Sequence, residues 1–182
     1  MSSLTCLATA RVKIVPFSDE HLTPRYIGWL NDPATTRYSD QRFFQHTLES
    51  CRNYLNSFQG TGNGFWAILE QEENLGHVGT VTTYVNQRHG AAEIGILIGE
   101  RNLWGKGYGT EVWRLMCQYL FDVVKVRKVS AGTLSVNDAM LKIMEKTGMV
   151  DDGVRVRECL YNGEEVDMVY KTLFREAWEK NQ

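Results

Sequence analysis

The sequence predicts a mixed α/β chain of the α+β kind, with helices flanking a largely antiparallel central sheet of about six to seven strands. Three observations predict it. Between Gly64 and Gly99 the segments "FWAILE", "HVGTVTTYV" and "AAEIGILIG" follow one another with Asn, Gly and charged turns between them, as in an antiparallel meander. Val112, Leu115, Met116, Tyr119, Leu120 and Val123 then recur at the i, i+3, i+4 spacing of an amphipathic helix. Near the C-terminus "VRVRECLYNGEEVDMVYKTL" places Asn162-Gly163 between two runs, which selects the type I′ turn of a hairpin.

The other elements follow in chain order. "RVKIVPF" is an opening strand closed by Pro16, and Thr23-Pro24 supplies the N-cap and first residue of a short helix through Leu30. "NDPATTRYSDQRFFQH" is a polar and aromatic connector. A helix starts at about Thr47, with Leu48, Cys51, Tyr54, Leu55 and Phe58 on one face, and "GTGNG" ends it. After the meander the amphipathic helix runs from Thr110 to Val123. "RKVSAGTL" is a further strand, and "NDAMLKIMEKTG" is a helix with Asn137 at its start and Gly148 just beyond its end.

A chain of 182 residues suits one domain, 1–182, able to bury a single core. Hydrophobic residues at 43% and charged ones at 23% exclude disordered and fibrous classes. Lys plus Arg (20) nearly balance Asp plus Glu (22) without like-charge runs, so neither nucleic acid nor a membrane is an expected partner. Cys6, Cys51, Cys117 and Cys159 lack C-x-x-C spacing and read as thiols of a reducing compartment. His21, His46, His77 and His89 lack helical metal-ligand spacing, so no metal is expected. No basic start followed by a long apolar stretch opens the chain, and a cytoplasmic location is expected.

"NLWGKGYGTEVWRLM" carries Gly105, Gly107 and Gly109 directly into a helix. A strand, a Gly-rich turn and a helix start gather free N–H groups and the positive end of the helix dipole at one point, which favours an anion. The Walker pattern fails, because five residues separate Gly99 from Gly105-Lys106 and Gly107 follows where Ser or Thr belongs. The dinucleotide pattern fails too: the spacing is G-x-G-x-G and "KVSAGTLS" ends without an acid. From these residues alone, a plain tight turn and an anion-binding turn both stand.

"AAEIGILIGERNLWGKGYGTEVWRLMCQYLF" followed by "NDAMLKIMEKTGM" resembles the GCN5-related N-acetyltransferases (GNAT), and "WLNDP" with "WGKGYGTE" resembles their ribosomal-protein N-terminal and amino-sugar acetyltransferase subgroup. The resemblance covers nearly the whole chain and implies an acetyl-CoA co-substrate held in a splayed cleft. It implies that Trp104, Gly105, Lys106, Gly107, Tyr108, Gly109 and Thr110 form the pyrophosphate loop. It also implies that the pantetheine arm pairs with the strand edge at Leu97, Ile98 and Gly99, and that Asn137 bonds the same arm or caps its helix. Trp104 departs from the Gln or Arg common at that position.

Strand alternation puts Ile94, Ile96 and Ile98 on one face and Glu93, Gly95 and Leu97 on the other. The resemblance places Glu93 near the acyl group, as the base an amine acceptor needs, with a backbone amide near Leu97 facing the developing oxyanion. Met144 stands where many relatives carry a tyrosine, so the usual proton donor to the thiolate is missing. On the acceptor side Arg37, Tyr38, Arg42, Phe43 and Phe44 suit stacking and phosphate pairing, which favours a nucleotide-linked amino sugar. A protein N-terminal acetyltransferase and a catalytically silent acyl-CoA-binding module are the alternatives. Glu158 is expected to face Asp167 across the hairpin and so to need a cation, either an acceptor ammonium or Arg155 or Arg157. The oligomeric state stays open, a homodimer included.

Overall fold

Alternation along the strands decides which helices cover which side of the sheet. The computed structural model describes residues 7–180. Its strands are β1 (Leu7–Ala8), β2 (Val12–Pro16), β3 (Gly64–Glu70), β4 (Gly76–Asn86), β5 (Ala91–Ile98), β6 (Lys128–Leu134), β7 (Val150–Tyr161) and β8 (Glu164–Phe174). They form one eight-stranded sheet in the order β1-β2-β3-β4-β5-β6-β8-β7. Every neighbouring pair is antiparallel except β5 with β6. The strand beyond the expected six to seven is β1, whose two residues are too few to show a period.

Val12, Ile14, Trp66, Ile68, Val78, Val81, Ala92 and Ile94 point to one side, under α4 (Tyr108–Gln118) and α5 (Asp138–Lys146). Phe17, Phe65 and Ala67 point to the other, under α1 (Pro24–Leu30) and α3 (Leu48–Asn56). An isolated helix the length of α4 is marginal in water. Trp113 and Met116, together with Leu120 and Phe121 just beyond its end, are at most 1% exposed, and each contributes about 1.5–3 kcal/mol by burial, so packing rather than propensity holds that segment.

Caps act where the sequence signals them. The Thr23 hydroxyl accepts the Tyr26 amide at 3.2 Å to start α1, and Thr47 accepts that of Ser50 at 3.1 Å to start α3. The connector is more ordered than expected: Asp32 caps α2 (Pro33–Thr36) and Ser39 caps a 3₁₀ turn, Asp40–Phe43. A last helix, α6 (Arg175–Lys180), was not expected.

Two irregularities correct the sequence reading. The helix expected to reach Val123 as one α-helix turns at its end into a π segment, Tyr119–Val123, closed by the Val124 amide on the Tyr119 carbonyl at 3.1 Å. The wider turn buries Phe121 and rotates Val123, expected on the apolar face, to 45% exposure. In the terminal hairpin Asn162 and Gly163 have φ of 52° and 85°, as type I′ requires. A bulge between Arg155 and Cys159 then removes the expected Glu158–Asp167 apposition. Asp167 instead accepts the Arg157 amide at 2.8 Å, and Glu158 pairs with Arg155 at 3.2 Å, so both acids are satisfied within the hairpin.

Cys51 and Cys117 are buried, and burial pushes the Cys117 thiol up to about 12; Cys6 lies outside the described residues. His77 sits under α1 with ring centroids 5.1 Å from Trp29 and 5.1 Å from His21. Its Nε2 lies 2.9 Å from the Gly79 carbonyl, and Nδ1 has no partner among the described residues. Burial, helped by the neighbouring His21 and Arg25, pushes the imidazole down from 6.5 to about 4, while burial also lowers His21 against the pull of Glu20. With the folded value below the unfolded one, the unfolded chain takes up the proton first. Stability is therefore whole above about pH 6.5 and is lost as pH falls toward 4, on the order of 3 kcal/mol for His77. Thermal melts between pH 7 and 5 should show this slope in the wild type and a flatter one in His77→Gln; equal slopes would refute the assignment.

Candidate active site

The β5–β6 ladder has three pairs, Ala91↔Lys128, Ala92↔Val129 and Glu93↔Ser130. Beyond Glu93 the strands part. β5 continues to Ile98 paired only with β4, and β6 continues to Leu134 paired only with β8. A wedge opens between residues 94–98 and 131–134 with Glu93 at its apex. Glu93 is exposed and shares its face with Gly95 and Leu97, the side of α1 and α3. Opposite it on β4 stands Tyr84, whose hydroxyl is 2.9 Å from that of Tyr54.

Hydrogen-bond direction along β5 refines the expected strand edge. The Ile98 carbonyl accepts the Trp104 indole N–H at 2.8 Å, whereas the Gly99 amide bonds to Val78 at 2.9 Å, on the β4 side. Backbone groups of successive residues alternate in direction along a strand. Ile94, Ile96 and Ile98 thus face the wedge, and Leu97 faces β4, its carbonyl 2.2 Å from where a Gly79 Cβ would lie. The wedge-facing amides next to Leu97 are those of Ile96 and Ile98, and that of Leu97 itself faces β4. Gly99 is buried and serves packing, since a Cβ there would come 2.0 Å from the Trp29 ring.

A 3₁₀ turn, Arg101–Leu103, leads from β5 into the glycine loop. Gly105 and Gly107 take φ of 75° and 89°, which side-chain-bearing residues adopt only under strain, and both are exposed. Gly107 is the N-cap of α4 and no side chain caps the helix. The Lys106 amide bonds to Leu103 and that of Glu111 to Gly107, while the amides of Gly107 through Thr110 have no acceptor among the described residues. Gly109 differs from its neighbours, since a Cβ there would lie 2.9 Å from Ile143 Cδ1. Its missing side chain lets α5 pack on α4.

Of the remaining loop side chains, those of Tyr108 and Lys106 are engaged elsewhere. Tyr108 is buried, with its hydroxyl 3.3 Å from Glu70. Glu70 in turn accepts the amides of Glu72, Glu73 and Leu75, which hold its carboxyl below the usual range despite burial. Lys106 extends toward Glu73, 3.9 Å away. Thr110 borders an open groove of about 800 Å³ shared with Arg114 and Lys146. Asn137 caps α5 through the Met140 amide at 3.3 Å and donates to Thr133 at 2.9 Å, leaving one amide hydrogen. Met144 is fully buried in the core.

The connector crosses the open end of the wedge. On the β5 side Asp32 pairs with Arg101, which holds the Asp32 carboxyl well below the usual range, and Arg37 lies 5.6 Å over the Trp104 ring. On the hairpin side Tyr38 stacks on Tyr161 at 5.4 Å, and Arg42 donates to the Leu160 carbonyl at 3.1 Å. Arg37 also lies 4.8 Å over Tyr38 and has no ion pair among the described residues. Arg42 is spent on the carbonyls of Ser39 and Leu160, so its observed role is to brace the connector. Phe43 stands 66% exposed beside it. Tyr84 was legible by register counting from the meander, but Tyr161 and Trp29 come to the site only through tertiary contacts.

Among the described residues no cluster of His, Cys, Asp and Glu has the make-up of a metal site, and no helix is long and apolar enough to cross a membrane. A Bacillus licheniformis protein described as an uncharacterised N-acetyltransferase, p20, is 27% identical over 130 residues, 68% of this chain and 71% of its own. The spermidine N-acetyltransferase of Vibrio cholerae, solved with CoA and spermine, superposes with a TM-score of 0.83 at 17% identity, over 94% of this chain and 99% of that one. A ribosomal L7/L12 α-N-protein acetyltransferase solved with coenzyme A gives 0.83 at 13% identity, over 95% and 99%. These structural likenesses show the fold. The acetyltransferase (GNAT) domain model matches residues 11–150, well over half of the 182, and the chain therefore belongs to the GNAT family as an acetyl-CoA-dependent N-acetyltransferase.

Proposed function

We propose that the chain, working as one domain over residues 1–182, acetylates a primary amine that enters on the face carrying Glu93, and that the preferred acceptor is a nucleotide-linked amino sugar. The observation that carries this reading is the parting of β5 from β6 immediately after Glu93, beside a helix start whose amides are free. Two phosphates meet the free amides from Gly107 to Thr110, where the helix dipole adds its field. The pantetheine arm runs along the edge of Ile96 and Ile98 and reaches the remaining amide hydrogen of Asn137.

An ammonium has no lone pair, so Glu93 accepts the amine proton directly or through water. The amine nitrogen then attacks the thioester carbon, and the growing charge on the carbonyl oxygen is met by the Ile96 or Ile98 amide. As the tetrahedral species collapses, the C–S bond breaks and the nitrogen gives its second proton to water. With Met144 buried where a tyrosine would donate, water protonates the leaving thiolate, whose reference acidity lies only slightly above neutral pH. No covalent enzyme intermediate is needed.

Arg37 supports the acceptor assignment. Two rings hold it at the mouth of the wedge without a neutralising acid, the arrangement that receives a phosphate and stacks a base. A polyamine calls for unpaired acids, whereas Glu158 is paired with Arg155 and Asp167 accepts the Arg157 amide.

Thiol release from acetyl-CoA, measured with nucleotide-linked amino sugars, peptides and polyamines, should be fastest with the first class; peptide-only turnover favours N-terminal acetylation, and no turnover with intact CoA binding favours a binding module. Glu93→Gln should lower kcat by roughly a hundredfold or more while sparing KM for acetyl-CoA. Gly107→Val should weaken CoA binding with a modest loss of melting temperature, and Gly109→Val should chiefly lower the melting temperature through Ile143. Unchanged CoA affinity in Gly107→Val would return the loop to a plain turn.

A further inference from the structure

An ionic network that the chemistry does not use lies directly behind the glycine loop, and its reading rests on the donor assignment above. Glu111 stands in the first turn of α4 with its side chain 19% exposed. A carboxylate there favours the helix through its dipole but opposes a second anion at the same amides. Arg11, from the β1–β2 turn, closes on it. Its Nε donates to Glu111 Oε2 at 2.8 Å, and Nη2 pairs with the same oxygen. Nη1 donates to the Lys106 carbonyl at 3.2 Å, and the guanidinium lies 4.5 Å over the Tyr108 ring.

Thr9 completes the arrangement. Its hydroxyl oxygen accepts the amides of Arg11 and Val12, both at 3.2 Å, and its proton goes to Glu111. Arg11 Nη2 is 3.7 Å from where a Cβ on Gly107 would lie, so the charge sits against the loop. Arg114 and Lys146, the other cations of this groove, make no ion pair among the described residues; Arg114 donates to the Lys146 carbonyl at 3.0 Å.

We propose that Arg11 is a positioning residue for the donor: by cancelling the Glu111 charge and holding the Lys106 carbonyl, it leaves the Gly107–Thr110 amides as a net positive seat for a diphosphate. Arg11 acts through Glu111 and the loop backbone. The charge claim has a consequence that a purely structural bracket lacks, because removing the acid should compensate for removing the base.

Calorimetric titration of the purified chain with CoA tests this without a known acceptor, with melting temperature as the check on folding. Arg11→Met should raise the Kd for CoA by about tenfold or more, and Arg11→Lys should keep most of the affinity. Arg11→Met with Glu111→Gln should regain most of what Arg11→Met loses, and with any accepted amine the loss should fall on KM for acetyl-CoA and spare kcat. An unchanged Kd in Arg11→Met, or a double variant no tighter than Arg11→Met, overturns the proposal. A wild-type chain that does not bind CoA overturns the donor site, and the role of Arg11 with it.

Discussion

The parting of two parallel strands after three pairs is the constraint on which the rest of the molecule depends. Each strand keeps one hydrogen-bonded neighbour and loses the other, so a row of backbone groups faces the gap. A buried backbone group without a partner costs about 1–3 kcal/mol, which a fold retains only where water or a ligand completes it. The edges are held apart from both sides. Trp29 packs where Gly99 has no side chain and donates to Glu100 at 3.1 Å, which fixes the end of β5. Asn137 bonds Thr133 at 2.9 Å while capping α5, which fixes the end of β6. Trp104 takes one exposed carbonyl, that of Ile98, and leaves the neighbouring amides open.

The electrostatics follow from the same geometry. A chain with a formal net charge of −2 cannot draw a polyanionic donor by its overall field, so attraction must come from oriented local groups. Free amides at the start of α4 are the groups proposed above to provide it, and two side chains of the loop are directed elsewhere: Tyr108 inward to Glu70, Lys106 toward Glu73. A loop that binds through its backbone tolerates change in its side chains. The replacement of a polar residue by Trp104 at the head of the loop is consistent with that, since the indole serves the strand edge instead.

Most of the fold was legible because periodicity is local. The meander, the amphipathic stretch, the Thr23-Pro24 start and the Asn162-Gly163 turn each carry their signal within a few residues. What stayed hidden depends on partners far along the chain. β1 and α6 are too short to show a period, and the π segment and the hairpin bulge shift a register that sequence counting assumes constant. At the candidate site, alternation alone put Glu93 on the face it shares with Gly95 and Leu97, but hydrogen-bond direction along β5 required knowing which strand flanks it. That is why Leu97 had to yield to Ile96 and Ile98. The three glycines looked equivalent until Ile143, distant in sequence, separated Gly109 from the other two. Arg42 looked free for the same reason, its partner Leu160 lying on the terminal hairpin.

The sheet also separates two chemistries that must meet only once. In the reading proposed above, donor phosphates bind on the side of α4, where the free amides are, and the acceptor enters under the connector, on the side of α1 and α3. Between them stands a continuous hydrogen-bonded sheet except at the wedge. On that reading, an amine approaching from one face and a thioester entering through the gap from the other come into line near its apex, at Glu93. That arrangement suits the direct attack proposed above, in which no nucleophilic side chain relays the acyl group. Gly95, beside Glu93 on the same face, is tied to the neighbouring strand: a Cβ there would lie 2.7 Å from Thr82 Oγ1, so its absence lets β5 pair with β4 next to the point where β6 departs.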